Sequence, residues 1–124
     1  MDYPQELRYT KTHEWLKEDG DTVLVGLTDF AQKELGDIVF INVPFEGDTV
    51  TAGTSFADVE SVKAVSEVIS PVSGTIVEVN ETLVDTPEKI NREPYAAWIV
   101  RVGDVSQKEV LLSAKEYQAF IREA

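Results

Sequence analysis

The chain has no cysteine and a single histidine, His13. Without cysteine it can form no disulfide framework, thiolate metal site or thiol nucleophile, so any sulfur chemistry needs an added cofactor. One histidine cannot supply the histidine pair of a common zinc site. The sequence also lacks a glycine-rich phosphate loop and a Gly-x-Ser-x-Gly motif. These absences argue against an independent enzyme.

Basic residues are also scarce. Eleven Lys and Arg stand against 23 Asp and Glu, which gives a formal net charge of −12. A surface of this charge repels phosphate backbones and anionic membranes and favours partners with basic docking faces, so we expect no nucleic acid ligand. No apolar run approaches the roughly 20 residues that a membrane span requires, and we expect no membrane association.

The N-terminal segment MDYPQELRYT is acidic and has no apolar stretch. It is unlike a signal peptide and unlike an arginine-rich transit peptide. Together with the initiator-like Met1, this favours a cytoplasmic bacterial protein over a processed mitochondrial form.

Length and strand pattern together predict the fold class. A chain of 124 residues with 43% apolar composition forms one compact core, so we expect a single domain over residues 1–124. Short strands bounded by turn residues predominate and predict a mainly β sandwich or flattened barrel. The predicted strands cover residues 23–27, 38–43, 55–61, 65–69, 75–80 and 98–102, with turns that include 73–74 and 103–104.

The predicted helices are few. Asp29 and Gln32 have the spacing of a capping box for a short helix that Gly36 ends, and Thr86 followed by Pro87 has the pattern of a helix start. A better helix lies at the C-terminal end, where a second capping box precedes an apolar stripe that we expect to pack on the sheet. The capping residues are Ser113 and Glu116, and the stripe consists of Ala114, Tyr117, Phe120 and Ile121.

The string VESVKAVSEV, residues 59–68, is a near palindrome about the Lys63-Ala64 bond. Such symmetry predicts a hairpin in which Val62 faces Val65 and Glu60 faces Glu67, with both pairs on one side. Lys63 would project from its tip. Lys-Ala is a poor pair for a turn that needs positive φ at both central residues, so the sequence predicts another turn type or some strain.

The sequence contains two candidate reactive groups, His13 and Lys63. His13 next to Glu14 has the composition of a base and its orienting carboxylate, but neighbours in a strand point to opposite faces, so we interpret His13 as a polar residue at a strand start. Lys63 is ordinarily a solvated charge, and an exposed turn offers little of the desolvation that a Schiff-base lysine needs. A rigid tip with Val62, Ala64 and Glu60 nearby suits recognition by a modifying enzyme and attachment of a prosthetic group.

Six stretches, in this order, resemble the lipoyl-carrying H proteins of the glycine cleavage system. At the hairpin apex, related biotinyl carriers have Met-Lys-Met and acyltransferase lipoyl domains have Asp-Lys-Ala, whereas this chain has Ser-Val-Lys-Ala. The six stretches are LRYTKTHEW (7–15), LTDFAQKELGDIVFINVP (27–44), GDTVTAG (47–53), ESVKAVSEV (60–68), SPVSGTIVEVN (70–80) and LLSAKEYQAF (111–120).

The resemblance implies a lipoyl-domain-like flattened β-barrel, a barrel-sandwich hybrid, with short helices, and it implies covalent lipoate on Lys63. It also implies a monomeric carrier with three enzyme partners. These are a PLP-dependent glycine decarboxylase that loads an aminomethyl group, a tetrahydrofolate-dependent aminomethyltransferase that removes it, and a dihydrolipoyl dehydrogenase that uses FAD and NAD. A lipoate ligase or a lipoyl or octanoyl transferase would attach the cofactor.

The resemblance further implies a cleft for the loaded arm. Thr12, Glu14 and Glu67 match the hydroxyl and carboxylates that hold the aminomethyl amine in the family, and charge-assisted hydrogen bonds suit that role. One departure from the family pattern is the segment PYAAW, residues 94–98, which lacks a glycine and is one residue shorter than usual.

Two other functions stay open on the sequence. One is a lipoate relay that donates its cofactor to other lipoyl-dependent complexes. The other is an unmodified binding module that acts through its acidic surface, although the intact Ser-Val-Lys-Ala apex speaks against it.

Overall fold

Two antiparallel sheets and four short helices make up the computed structural model, which describes residues 2–123 and side chains as far as residue 122. Met1 and Ala124 lie outside this range. The elements in chain order are β1 (Arg8–Tyr9), β2 (Glu14–Asp19), β3 (Thr22–Leu27), α1 (Asp29–Leu35), β4 (Ile38–Asn42), β5 (Thr49–Val50), β6 (Ser55–Ser61), β7 (Val65–Ile69), β8 (Val72–Val79), α2 (Glu81–Asp85), α3 (Lys89–Arg92), β9 (Val100–Lys108) and α4 (Ala114–Glu123).

The sheets are separate and share one core. Six strands run in the order β1-β2-β3-β9-β8-β5, and the other three in the order β4-β6-β7. Alternate side chains of both sheets point inward, and Val25 and Val102 of the larger sheet belong to the same buried cluster as Val59 and Val68 of the smaller one. The predicted mainly β sandwich with short helices is confirmed, in an open form.

Two predicted turns are wrong. Ser73-Gly74 lies inside β8 and Gly103-Asp104 lies inside β9, because here the two strands pair closely across a register shift. A Cβ on Gly74 would lie 2.4 Å from the Gly103 carbonyl oxygen, so the glycine permits a close backbone approach. Asp104 takes a φ of 51° inside β9, which continues to Lys108.

Two predicted helix starts are also wrong. Thr28, not Asp29, is the N-cap of α1, because Thr28 has extended backbone angles and its Oγ1 accepts from the Ala31 N–H at 3.1 Å. Thr86 ends α2, and α3 begins only at Lys89. Gly36 does end α1, as predicted, with a φ of 79° that suits glycine.

The C-terminal capping box is confirmed. The Ser113 N–H donates to the Glu116 carboxylate at 2.8 Å, and the Glu116 N–H donates to Ser113 Oγ at 3.1 Å. The apolar stripe of α4 packs with Tyr9 and Trp15 in a second buried cluster. No helix in the described part of the chain is long and apolar enough to cross a membrane.

The segment 94–98 lies between α3 and β9 and is held at its start, by Pro94 and Tyr95. The Trp15 indole N–H donates to the Pro94 carbonyl at 3.0 Å. The Tyr95 hydroxyl donates to the Asp2 carbonyl at 2.6 Å and accepts from the Asp29 N–H at 3.1 Å. These contacts tie the N-terminal segment to the start of α1.

Candidate functional site

The hairpin of β6 and β7 forms, but its register differs from the palindrome. Glu60 pairs with Val65 and Asp58 pairs with Glu67, so each predicted partner on β6 is displaced by two residues. Because side chains alternate with a period of two, this displacement leaves Glu60, Val65 and Glu67 on one face. The predicted pairing is therefore wrong, and the predicted shared face of these three is confirmed.

Ser61 closes the turn. Its N–H donates to the Ala64 carbonyl at 2.8 Å, and its Oγ accepts from the N–H groups of Lys63 (3.3 Å) and Ala64 (3.1 Å). Val62 and Lys63 are consequently the central residues, in place of Lys63 and Ala64, and neither has a positive φ. The Val62 N–H donates to the Asp37 carbonyl at 3.0 Å, which fastens the tip to the segment before β4. The turn is braced, and the Lys63 side chain is exposed.

A cleft of about 260 Å³ lies between the turn before β2, helix α1 and strand β7. Thr12 and His13 line one side, Leu35 lines the α1 side, and Glu67 lines the β7 side. Lys63 lies beside the end of α1, since its Cε is 3.9 Å from the position that a Cβ on Gly36 would occupy. A chain attached to the lysine amine therefore starts next to the α1 wall of this cleft.

Glu14, by contrast, is buried behind the cleft, with 1% of its surface exposed. Its Oε1 accepts from the hydroxyls of Thr10 (2.7 Å) and Thr12, and its Oε2 accepts from the Ile69 N–H at 3.2 Å. Burial raises the pKa of the Glu14 carboxyl to about 7, although these hydrogen bonds act in the opposite direction. The carboxyl links the β1–β2 segment to the end of β7.

The predicted site residues thus fall into two groups. Thr12 and Glu67 line one cleft, and Glu14 joins it indirectly through the Thr12 hydroxyl. The residues predicted to guide modification surround the lysine, with Val62 and Ala64 exposed in the turn and Glu60 partly exposed on β6.

Three residues near the site were not singled out as site residues from the sequence: Thr10, Thr28 and Tyr117. Thr10 meets Glu14 through the turn before β2, where the alternation of a strand does not apply, so no period of two marked it. Nothing local marked Thr28 or Tyr117, whose hydroxyl oxygens lie 2.8 Å apart although the residues are far apart in sequence.

The titration of Glu14 leads to a prediction about stability. Its folded-state pKa is raised from 4.5 to about 7, so between these values the native state keeps a proton that the unfolded state has lost. The contribution of Glu14 to the free energy of unfolding is fully present below its pKa in the unfolded state. It is lost as the pH rises through its pKa in the folded state. Relative to Glu14→Gln, which does not titrate, we expect the wild-type free energy of unfolding to fall by about 2 to 3 kcal/mol between about pH 5 and pH 8. Urea unfolding of both proteins at several pH values measures this difference. Parallel curves of unfolding free energy against pH would contradict the prediction.

The fold and this site together define a class of protein. A β sandwich that presents one lysine on a braced hairpin tip, beside a cleft, has the architecture of a lipoyl-type carrier domain. In agreement, the crystal structure of a glycine cleavage system H protein from Mycobacterium marinum matches with a TM-score of 0.89 and 44% sequence identity, covering 94% of this chain and 96% of that chain.

The sequence comparisons are more specific. A family model described as "Glycine cleavage H-protein" matches residues 7–124. Among similar proteins, the glycine cleavage system H protein of Lachnoclostridium phytofermentans is 56% identical, over 95% of this chain and 94% of that protein. The one from Geobacillus kaustophilus is 53% identical, over 99% of both. The chain belongs to the glycine cleavage H-protein family, and both the family resemblance and the lipoyl-domain-like fold predicted from it are confirmed.

Proposed function

We propose that this chain carries lipoate on Lys63 and passes the aminomethyl group of glycine from a PLP-dependent decarboxylase to a tetrahydrofolate-dependent aminomethyltransferase. It acts as one carrier domain over residues 1–124 and not as an enzyme. The observation that supports this most directly is the exposed Lys63 on a braced tip beside the cleft of Thr12 and Glu67.

The bacterial origin of the similar proteins supports a bacterial cytoplasmic location, which cell fractionation tests.

The residues present fit lipoate in amide linkage. The Lys63 side chain is exposed, and the four hydrogen bonds described for the turn hold backbone N–H groups and not the lysine amine. An acyl chain can therefore be attached to the amine without rearranging the turn. The chain has no sulfur nucleophile of its own, since it lacks cysteine. When bound, lipoate supplies a disulfide that takes up the aminomethyl group as it is reduced, and a dithiol that a dihydrolipoyl dehydrogenase oxidises again with FAD and NAD.

The cleft offers a hydrogen-bond acceptor for a protonated amine. Because the Thr12 hydroxyl donates its only proton to Glu14, its oxygen can act toward a group in the cleft only as an acceptor. The Glu67 carboxylate lines the same cleft, and the buried Glu14 carboxyl lies directly behind Thr12. A cationic amine in this place favours the charged form of Glu14, because a nearby opposite charge lowers the pKa of a buried carboxyl. We propose that these three residues retain the aminomethyl group between the two enzymes.

The surface suits brief docking on several partners. A formal net charge of −12 favours fast encounters with basic enzyme surfaces, and it does so without requiring tight complexes. At the tip, Val62 and Ala64 are exposed on either side of Lys63, and Glu60 lies on the adjoining strand. We propose that a lipoate ligase or a lipoyl or octanoyl transferase recognises these three residues.

The test is the intact mass of the protein from lipoate-replete cells, with peptide mapping across residues 55–89. We expect the mass of one lipoyl group on Lys63 and its loss in Lys63→Ala. An unmodified Lys63 in cells whose lipoylating enzymes are active would overturn the proposal and would favour an unmodified binding module.

A further inference from the structure

The hydroxyl of Tyr117 connects the C-terminal helix to both walls of the cleft. Tyr117 is fully buried, and its hydroxyl oxygen lies 2.8 Å from His13 Nδ1 and 2.8 Å from Thr28 Oγ1. One phenol can donate to one of these atoms and accept from the other. None of the steps proposed above uses this buried polar group.

Each of its two partners positions a different wall. His13 lines the cleft and follows Thr12 directly, and it takes a φ of 74°, a conformation that is uncommon for a non-glycine residue. Thr28 is the N-cap of α1, where its Oγ1 accepts from the N–H of Ala31, another residue of the cleft. The Tyr117 hydroxyl therefore lies where the Thr12 turn and the α1 wall are joined.

Two further contacts join the same two segments. The Thr28 N–H donates to the His13 carbonyl at 3.1 Å, and the imidazole of His13 lies 4.8 Å from the Phe30 ring, centroid to centroid. Burial lowers the pKa of His13 and raises that of Tyr117, so both groups are neutral near pH 7. A neutral hydrogen-bonded network that is largely buried favours one arrangement of side chains.

We infer that Tyr117 is a positioning residue for the cleft described above. Its hydroxyl holds the Thr12–His13 turn and the N-terminus of α1 at the spacing that a loaded arm requires. This inference rests on the proposed function. It assigns to the C-terminal helix a part in retaining the carried group, beyond its packing on the sheet.

Tyr117→Phe tests the inference, because it removes one oxygen and keeps the ring. Tyr9→Phe is the matched control. Tyr9 is also fully buried and its ring stacks on Tyr117 at 4.9 Å, but its hydroxyl donates to the Pro4 carbonyl, away from the cleft. Each lipoylated variant is loaded with glycine and the decarboxylase, and ammonia release is followed after the enzyme is removed.

We expect release from Tyr117→Phe to be roughly fivefold faster than from the wild type, the change that loss of one buried hydrogen bond produces. Release from Tyr9→Phe should match the wild type. In the unlipoylated protein, hydrogen exchange of the Ala31 N–H should accelerate in Tyr117→Phe alone, a readout independent of the cofactor. Thr28→Ala should also speed release. In the double variant Thr28→Ala with Tyr117→Phe, the effect expressed as a free energy should be smaller than the sum of the two single effects.

The inference would be overturned by wild-type retention in Tyr117→Phe, or by equal acceleration in Tyr9→Phe, which would indicate a general loss of packing. Additive effects in the double variant would also count against it. Failure of the wild-type protein to retain the group at all would instead refute the proposed role of the cleft, so the two failures are distinguishable.

Discussion

Lys63→Arg is expected to fold like the wild type and to support no glycine cleavage. Arginine keeps the positive charge at the exposed tip, and the turn is held by the hydroxyl of Ser61 and the carbonyl of Asp37, which the substitution does not touch. A guanidinium stays protonated near neutral pH and is not acylated as an amine is, so no lipoyl group can be attached. The measurement is glycine-dependent NADH formation with the decarboxylase, the aminomethyltransferase and the dehydrogenase.

Lys33→Arg provides the control for this prediction. Lys33 is an exposed lysine on α1, close in sequence to the α1 wall of the cleft, and it is not placed on a hairpin tip. We expect Lys33→Arg to be lipoylated and fully active. Substantial NADH formation by Lys63→Arg would show that the carried group is attached elsewhere.

Glu14→Ala is expected to keep its lipoylation and to lose the aminomethyl group roughly tenfold faster, the order expected when a hydrogen bond to a charged group is removed. Without the carboxyl, the Thr12 hydroxyl loses its hydrogen bond to Glu14, so its proton is no longer held away from the cleft. The negative charge nearest to Thr12 is also lost. Ammonia release from the loaded variant measures the effect. An unchanged rate would contradict a role of Glu14 in retaining the aminomethyl group.

Glu14→Gln separates the charge from the contacts. Glutamine keeps an oxygen that can accept from Thr10 and Thr12, but it is neutral at every pH. Faster release from both variants would identify the charge as the retaining element. Faster release from Glu14→Ala alone would identify the orientation of Thr12, and thermal unfolding of both variants shows how much stability each one loses.

Local signals were the ones that could be read from the chain. The Ser113 and Glu116 capping box predicted α4 correctly, because both hydrogen bonds join residues three apart. The alternation of more and less buried side chains in β6 and β7 was also predictable, because it depends only on residues within each strand. Both predicted turns in the β8 and β9 region failed, because the glycines there serve a close approach between strands and not a reversal of the chain.

The hairpin shows how a correct local pattern can still give the wrong register. The palindrome predicted Val62 opposite Val65, but the N–H of Val62 is bound by the Asp37 carbonyl, a residue of another segment. Ser61 then closes the turn one residue earlier than predicted. A symmetrical sequence is compatible with more than one pairing, and contacts from outside the hairpin select between them.

By itself the sequence determined the class of fold, the C-terminal helix, the lysine that bears the cofactor in the proposed function and the need for sulfur from outside the chain. Only the tertiary structure decided that Glu14 is buried with a pKa of about 7, and that Thr12 lines the cleft and donates to Glu14. It also decided that Tyr117 joins His13, from which it is 104 residues distant in the chain. The physical reason is that capping and strand alternation depend on neighbours in sequence. Desolvation and hydrogen bonding between segments depend on which distant atoms the fold brings together.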